Sequence, residues 1–452
     1  MERKLFGTDG IRGKANIFPM TCEVAFALGR AVTNYFQQKN SRKNPMVIIG
    51  KDTRLSCYML EQAFSAGVCS QGGQAILTGP LPTPGVAFAV QSMRADAGVM
   101  ISASHNAFYD NGIKIFDRTG HKLPDSTEKI LEEMVLSPEK LPTMLGADLG
   151  RAKRLDEILG RYIVQVKSVF DKKYSLEGLK IVVDGANGAG YKVAPLVFEE
   201  LGAEVISLGD HPNGQNINEG CGAIHPETCA QEVLKQKADI GICIDGDGDR
   251  VVIINDQGQV IHGDHLIGIC ARFLKDQGEL KDQDEVVGTV MTNLGLEKYL
   301  KSLNLNLYRT KVGDRYIVER LTESNSFFGG EPSGHIIFKK YSTTGDGLLA
   351  ALKILEALLY YKKSLVELTS DIPLCPHLLT AIKVKKREDL AQQINIQQAI
   401  TSWEKKLADK GRILLRYSGT EPLLRLLVEG EDANLIKKAS QELSEIIQAD
   451  LG

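Results

Sequence analysis

Three aspartates on alternate residues, Asp245, Asp247 and Asp249, form the densest group of carboxylates in the sequence. Glycines separate them in the run Asp-Gly-Asp-Gly-Asp-Arg at 245–250, and apolar runs at 240–244 and 251–254 predict a tight loop between two strands. Glycine spacers let the carboxylates turn toward one point, where oxygen ligands suit a hard divalent cation. The loop therefore predicts an open Mg²⁺ site completed by water and a phosphate oxygen. A solvated acidic hairpin is the alternative.

The spacing of this loop excludes an EF-hand. Arg250 occupies the position that requires glycine, and Asp256 stands where a bidentate glutamate belongs. The flanking runs also have the composition of strands, whereas an EF-hand loop joins two helices.

A second cluster of reactive groups surrounds Ser104. The apolar run at 98–101 leads into Ser102, Ser104, His105 and Asn106, and the run Asp-Asn-Gly-Ile-Lys follows at 110–114. A serine on such a loop can act as a nucleophile or as a phosphate carrier. An esterase elbow would need glycine two residues before and after the serine, where Ser102 and Asn106 stand instead. A polar turn with a capping serine is the other interpretation.

A glycine-bounded loop at 329–335 carries Glu331, Ser333 and His335, and the run Thr-Gly-Asp-Gly follows at 344–347. Carboxylate, hydroxyl and imidazole groups together can hydrogen-bond the hydroxyl groups of a sugar. A purely structural loop is equally consistent with this segment alone.

The segment Arg-Tyr-Ser-Gly-Thr-Glu-Pro at 416–422 is a candidate phosphate site. It contains Arg416, Ser418, Gly419 and Thr420, and Arg425 lies just beyond it. Guanidinium groups and successive backbone N–H groups around a glycine form a nest for an anion. An ordinary turn between strands is the alternative.

The elements that must position these loops repeat three times along the chain. Each unit has a continuous apolar strand, a turn, a helical stretch and a second apolar run. The units are 46–50, 56–70 and 75–78; 179–184, 190–201 and 203–208; and 285–292, 295–303 and 305–308. Strands without apolar–polar alternation are buried on both faces, so each unit predicts a sheet covered by helices. Residues 185–190 lack the glycine spacing of a dinucleotide site and predict a tight turn.

The pattern changes beyond residue 370. Residues 372–376 predict a linker, strand-like runs occur at 381–385, 413–416 and 423–429, and an amphipathic helix follows at 433–449. We therefore expect an α/β protein with three similar mixed-sheet domains and a smaller C-terminal α+β domain. The predicted domains are 1–155 with the serine loop, 156–257 with the aspartate loop, 258–370 with the sugar loop and 371–452 with the phosphate loop.

Composition sets the broad class of the protein. Of 452 residues, 43% are hydrophobic and 25% charged, and the formal net charge is −3. This globular composition provides an ample core, and the near-neutral charge argues against nucleic acid or an anionic membrane as a partner. The eight cysteines are scattered, and no apolar run is long enough to span a bilayer. The N-terminal residues show no signal-peptide core, so we expect a cytoplasmic protein.

Taken in order, these segments resemble the phosphohexomutases (α-D-phosphohexomutase superfamily), and among them most closely the bacterial phosphoglucosamine mutases. The resemblance covers essentially the whole chain. It rests on residues 6–13 (Phe-Gly-Thr-Asp-Gly-Ile-Arg-Gly), 102–106 with 110–114, 245–250, 330–335 and 418–422. Each segment alone is weakly specific, but five in register, with at least one in each predicted domain, are a specific combination.

The resemblance implies a central cleft between four domains and a reaction through a phosphorylated serine. Ser104 would be that phosphoserine, and Ser104, Asp245, Asp247 and Asp249 would hold one Mg²⁺ per active site. The phosphoserine would pass its phosphoryl group to glucosamine 6-phosphate. The bound glucosamine 1,6-bisphosphate would return its other phosphate and leave as glucosamine 1-phosphate, a precursor of UDP-N-acetylglucosamine and the cell wall. The partner is thus a small sugar phosphate, and a homodimer is common among related proteins.

The resemblance also implies roles for other residues. Arg12, Lys114 and Arg250 match positions that line the phosphoserine site, and Lys114 and His335 are candidates for proton transfer. Glu331 and Ser333 would bind sugar hydroxyls. The residues that would clamp the distal phosphate are Arg416, Ser418, Gly419, Thr420 and Arg425.

Three positions depart from the family pattern. Ala107 replaces a proline of the serine loop, Pro332 replaces a residue that is usually glutamine in phosphoglucosamine mutases, and Tyr417 stands where lysine is common. The Pro332 departure keeps a phosphomannomutase or phosphoglucomutase of the same superfamily open as the alternative function. A non-catalytic sugar-phosphate-binding protein and a Ser/His hydrolase are the remaining alternatives.

Overall fold

The computed structural model describes residues 5–7, 9–385, 387–417 and 423–452. Over these residues the chain forms four sheets, of six, five, four and three strands. The first three sheets mix parallel and antiparallel pairs, and the last is antiparallel. This confirms three similar α/β domains followed by a smaller α+β domain. In the described part of the chain, no helix is both long and apolar enough to cross a lipid bilayer.

The first sheet has helices on both of its faces. On the strand Met46–Lys51, Val47 and Ile49 pack in one hydrophobic cluster with the first two helices, whereas Ile48 packs in another with the helix Thr83–Ser92. The strand order is β1-β5-β4-β2-β3-β6. The elements are β1 (Ile11–Lys14), α1 (Cys22–Asn40), β2 (Met46–Lys51), α2 (Leu55–Ser70), β3 (Gln74–Pro80), α3 (Thr83–Ser92), β4 (Ala97–Ile101), β5 (Asp110–Asp117), α4 (Asp125–Leu136) and β6 (Arg151–Arg154).

The second and third sheets repeat this plan with fewer strands. Helix α5 (Ile158–Lys167) leads into the second sheet, whose order is β11-β10-β9-β7-β8, and the third has the order β13-β12-β14-β15. The second domain contains β7 (Lys180–Asp184), α6 (Val193–Glu199), β8 (Glu204–Leu208), α7 (Glu227–Gln236), β9 (Ile240–Ile244), β10 (Val251–Asn255) and β11 (Val260–Ile261). The third contains α8 (Gly263–Asp276), β12 (Glu285–Thr289), α9 (Leu294–Ser302), β13 (Asn306–Thr310), α10 (Asp314–Glu323), β14 (Phe328–Gly330), β15 (Ile336–Phe338), α11 (Gly347–Tyr361) and α12 (Leu365–Ser370).

Strand β12 is shorter than the apolar run at 285–292 predicts. It ends at Thr289, whose N–H donates to the Thr292 hydroxyl at 3.0 Å, while the Met291 N–H donates to the Thr289 hydroxyl at 3.2 Å. The hydroxyls of Thr289 and Thr292 thus bind backbone N–H groups where the strand ends and close the chain into a turn. The last domain contacts this turn through Arg412, which donates to the carbonyls of Val290 at 2.9 Å and Thr292 at 2.7 Å.

The C-terminal domain has its own core. Helices α13 and α14 pack on a sheet of order β16-β18-β17, with Trp403, Leu426 and Leu443 buried between them. Its first strand begins at His377 instead of the predicted 381. The elements are β16 (His377–Lys383), α13 (Ile394–Leu407), β17 (Gly411–Tyr417), β18 (Leu423–Gly430) and α14 (Ala433–Leu451). Short 3₁₀ turns lie at Pro138–Lys140, Gly146–Asp148, Leu390–Gln392 and Ala408–Lys410.

The candidate loops occupy equivalent places in the first three sheets. The serine loop joins β4 to β5, the aspartate loop joins β9 to β10, and the sugar loop joins β14 to β15. The strand before each loop therefore pairs in parallel with one neighbour, and the strand after the loop runs antiparallel to it. Open α/β sheets bind ligands at the carboxyl ends of such strands. Because the topology repeats, each of the three loops lies at that ligand-binding edge of its own sheet.

Candidate active site

Residues from all four domains line one cleft with a volume of about 730 Å³. The predicted site residues that line it are Arg12, Ser104, Asp249, Arg250, Glu331, His335 and Arg416. Asp245 and Ser333 line an adjoining pocket of about 300 Å³, which shares Arg250 with the cleft. Arg425 lies directly opposite Arg416 on the neighbouring strand. Ser418, Gly419 and Thr420 lie outside the described residues.

Ser104 lies where the first and second domains touch. Its φ of +52° is in the left-handed region, which costs a residue with a side chain roughly 1–3 kcal/mol. The hydroxyl is almost fully buried and donates to Asp245 Oδ2 at 2.6 Å. The neighbouring His105 is neutral at pH 7, because burial, with the charges of Arg250 and Arg12, lowers its pKa to about 4. Ser104 is therefore held directly against a carboxylate of the aspartate loop, whereas the Ser102 hydroxyl donates to Asp52.

The three aspartates of the loop form a compact group of oxygen ligands. One carboxylate oxygen from each of Asp245, Asp247 and Asp249 lies within 4.8 Å of the others. Burial, together with the charges of Asp249 and Asp247, raises the pKa of Asp245 to about 8. The buried Oδ1 atoms of Asp247 and Asp249 have no hydrogen-bond partner among the described residues. Unsatisfied carboxylate oxygens that repel one another fit a hard cation such as Mg²⁺.

Lys114 supplies positive charge beside this group. Its Nζ donates to Asp247 Oδ2 at 2.9 Å and lies 3.4 Å from carboxylate oxygens of Asp249 and Asp9. Burial alone would lower the pKa of Lys114, but Asp247, Asp9 and Asp249 together raise it well above its usual value. Lys114 is therefore an ammonium ion at neutral pH.

His335 lies between carboxylates from two domains. Its Nδ1 is 3.7 Å from Asp249 Oδ1 and its Nε2 is 3.7 Å from Asp314 Oδ2. Burial lowers its pKa, but these carboxylates outweigh burial and raise the pKa above the usual value. His335 thus holds a proton more strongly than a free histidine does. The adjacent Glu331 is fixed by the Gly313 N–H, which donates to its Oε1 at 3.0 Å.

Sequence reasoning missed a chain of charges that links the first and third domains. Lys122 donates to Asp9 Oδ1 at 2.6 Å and to Asp314 Oδ2 at 2.5 Å. Asp9 lies within residues 6–13, one of the segments that carry the family resemblance, and that segment was the only sequence feature that could have indicated a role for Asp9. Residues 312–316 also line the cleft, but they form no motif that sequence alone would single out.

Arginines make the cleft suitable for phosphate. The buried Nε atoms of Arg12, Arg250 and Arg416 have no acceptor among the residues the structure describes. Burial and the facing charge of Arg425 also lower the pKa of Arg416. Two guanidinium groups on directly opposed residues repel each other, and a phosphate dianion between them relieves that repulsion. The arrangement can therefore bind phosphate groups near the serine and near the last domain.

Comparisons with known proteins agree with this architecture. Four phosphoglucomutase/phosphomannomutase family models match, namely α/β/α domain I at residues 3–141, domain II at 160–258, domain III at 262–374 and the C-terminal domain at 379–446. The chain is 51% identical over 447 residues to a phosphoglucosamine mutase of Desulfotalea psychrophila, covering 99% of each.

Solved structures show the same fold. A phosphoglucomutase/phosphomannomutase family protein from Burkholderia thailandensis superposes with a TM-score of 0.82 at 22% identity, covering 99% of this chain and 97% of that one. The N-acetylphosphoglucosamine mutase of Aspergillus fumigatus, solved in complex with GlcNAc-6P and magnesium, gives a TM-score of 0.69 at 17% identity, covering 98% and 95%.

Proposed function

Since the chain belongs to the phosphoglucomutase/phosphomannomutase family, we propose that it acts as a phosphoglucosamine mutase and interconverts glucosamine 6-phosphate and glucosamine 1-phosphate. The choice of sugar is supported by the full-length relative that carries this name at 51% identity. The chemistry is supported above all by one contact, the 2.6 Å hydrogen bond from the Ser104 hydroxyl to Asp245 of the aspartate group. A serine hydroxyl in contact with this carboxylate group supports phosphoryl transfer beside a bound cation.

Ser104 carries the phosphoryl group in this proposal. An oxygen of the bound sugar attacks the phosphorus, the bond from phosphorus to Ser104 Oγ breaks, and a bisphosphate forms. The bisphosphate then turns over in the cleft and returns its other phosphoryl group to Ser104. Asp245, Asp247 and Asp249, with Ser104, would hold Mg²⁺, which would neutralise charge on the transferring group.

Proton transfer falls to Lys114 and His335. The attacking sugar hydroxyl must lose a proton, and the leaving oxygen must gain one. Both side chains are almost fully buried, and carboxylates raise both pKa values above the usual ones. Lys114, an ammonium ion, can donate the proton that the leaving oxygen needs, and His335 in its neutral form can take the proton of the attacking hydroxyl. The second transfer reverses both moves. Arg12 and Arg250 would bind the phosphoryl group near Ser104.

The remaining residues hold the part of the substrate that does not react. Glu331 faces the cleft and is oriented by Gly313, which suits it to bind sugar hydroxyls. We assign the same role to Ser333 from the adjoining pocket. Arg416 and Arg425, with Ser418, Gly419 and Thr420, would clamp the distal phosphate. Arginines bind a phosphate in either orientation of the bisphosphate, as the reaction requires.

We also place this enzyme in the cytoplasm, with a small sugar phosphate as its partner and no nucleic acid or membrane. All eight cysteines are free thiols, which is typical of a reducing compartment. A homodimer remains a prediction from the family resemblance.

The substrate is tested by comparing sugars. We expect kcat/KM for glucosamine 6-phosphate to exceed that for mannose 6-phosphate and glucose 6-phosphate at least about tenfold, since a site that hydrogen-bonds one substituent discriminates against its analogue. Coupled assays on each sugar measure this, with Ser104→Ala as the control for contaminating mutases. Preference for a neutral sugar would favour the alternative phosphomannomutase or phosphoglucomutase activity, which the proline at 332 keeps open.

A further inference from the structure

Arg54 is a fully buried arginine beside the serine loop, at the end of the run Lys-Asp-Thr-Arg that begins at the last residue of β2. Its Nε donates to Asp52 Oδ2 at 2.8 Å, and Asp52 is fully buried as well. Burying two charges is costly unless their hydrogen-bonding capacity is used. The remaining contacts of this pair therefore indicate what it does.

The guanidinium group of Arg54 binds the backbone of the serine loop. Its Nη2 donates to the carbonyls of Ser104 at 2.9 Å and Asn106 at 2.8 Å, and its Nη1 donates to the carbonyl of Ala107. A planar fork with five N–H groups can make all these contacts together with the Asp52 pair, whereas a lysine ammonium cannot.

Asp52 holds the other side of Ser104 through a serine hydroxyl. The Ser102 hydroxyl donates to Asp52 Oδ2 at 2.6 Å and accepts from the Ser104 N–H at 2.9 Å. The N–H and the C=O of Ser104 are thus both fixed by one ion pair. The second domain adds a contact of its own, because Asn218 Nδ2 donates to the Ser104 carbonyl at 2.9 Å.

Such a clamp matters because the conformation of Ser104 is strained. A left-handed residue with a side chain persists only where the surrounding structure holds it, and Ser104 has a φ of +52°. In this conformation its hydroxyl is 2.6 Å from Asp245. Relaxation of the loop would move the hydroxyl away from the aspartate group.

We propose that the Asp52–Arg54 ion pair is a positioning device that holds Ser104 in its left-handed conformation, so that its oxygen faces the aspartate group during phosphoryl transfer. Arg54 is a positioning residue, since its contacts are with Asp52 and the loop carbonyls. This inference rests on the proposed function, because it assigns a role only if Ser104 is the carrier.

The test compares Arg54→Lys and Ser102→Ala with wild type. Displacing a reacting group by about 1 Å can cost ~100-fold in rate, so we expect kcat of Arg54→Lys to fall about 100-fold with KM unchanged. Ser102→Ala removes only the link from Asp52 to the Ser104 N–H and should lower kcat in the same way with little change in thermal unfolding. It keeps the test decisive if Arg54→Lys does not fold.

Lys353→Met is the matched control. Lys353 is also buried, pairs with Glu356 at 2.6 Å and donates to the Val169 carbonyl at 2.6 Å, but it lies away from the cleft. This variant should lower the unfolding temperature and leave kcat of the folded enzyme unchanged. Wild-type kcat in Ser102→Ala or in folded Arg54→Lys, or losses no larger than those of Lys353→Met at equal folded fraction, would overturn the proposal.

The comparison is made on whichever sugar phosphate the wild-type enzyme converts fastest. If that sugar is neutral, the proposed substrate is wrong, and the kcat values of the variants on that sugar still decide the role of Arg54.

Discussion

Replacing Ser104 by alanine is expected to lower kcat by at least about 10⁴-fold, because loss of a covalent nucleophile removes the whole reaction path rather than one contact. The variant should also lack the mass of one phosphoryl group that a fraction of the wild-type protein carries. The rest of the site should persist, since the change removes one oxygen whose recorded partners are Asp245 and His105. Steady-state kinetics and intact-protein mass spectrometry measure the two effects.

The control for this change is Ser168→Ala. Ser168 is exposed, directly follows α5, and its hydroxyl donates to the carbonyl of Gln165 in that helix, so its removal should change neither kinetics nor phosphoryl content. If Ser104→Ala turned over at a rate near that of the wild type, or kept the phosphoryl mass, another residue would be the carrier.

The second large effect concerns the aspartate group. We expect Asp247→Asn to lower kcat about 10³-fold. Loss of one preorganised electrostatic contact to a developing charge costs about 10²–10³-fold in rate, and this substitution also weakens binding of the cation. Asp247 is the most informative position, since its buried Oδ1 has no partner among the described residues while its Oδ2 binds Lys114 and Thr83.

Metal binding provides a readout that does not depend on turnover. A ligand that binds only the folded state raises the unfolding temperature, so Mg²⁺ should stabilise the wild type against heat and should not stabilise Asp247→Asn. Chelation should likewise abolish wild-type activity until Mg²⁺ is returned. Asp256→Asn is the matched control, because Asp256 is an exposed aspartate in the turn after β10. Full activity of the chelated wild type would refute the role of the metal.

The candidate loops could be predicted because clusters of polar residues follow apolar strands, with glycines among them in the aspartate and sugar loops. Asp245, Ser104 and Glu331 stand in such positions, and the structure brings the loops that carry them to one cleft and its adjoining pocket. Local pattern is sufficient here, because the same order of four strands recurs in the first three sheets and determines where each loop lies. The pattern could not show that Ser333 would line the adjoining pocket while Glu331, two residues earlier, faces the cleft.

The contacts between domains could not be predicted in this way. Lys122 and Asp314 are 192 residues apart, and their pairing depends on how the first and third domains pack. Residues 51–54, Lys-Asp-Thr-Arg, have only the pattern of a turn after a strand. The role of Arg54 could not be predicted, because the groups that it binds are backbone carbonyls, which every residue has. The predicted strand at 285–292 is longer than β12, because an apolar run carries no information about the hydrogen bonds of the Thr289 and Thr292 hydroxyls that form the turn after it.

The central claim is that the phosphoryl group of Ser104 passes to the sugar. It is tested most directly by mixing enzyme that carries isotopically labelled phosphate on Ser104 with unlabelled glucosamine 6-phosphate in a single turnover and following the label. The account predicts that the label leaves the protein at a rate no slower than kcat and appears in glucosamine bisphosphate and glucosamine 1-phosphate. Label that stays on Ser104 while the sugar isomerises, or that is released only as inorganic phosphate, would contradict it.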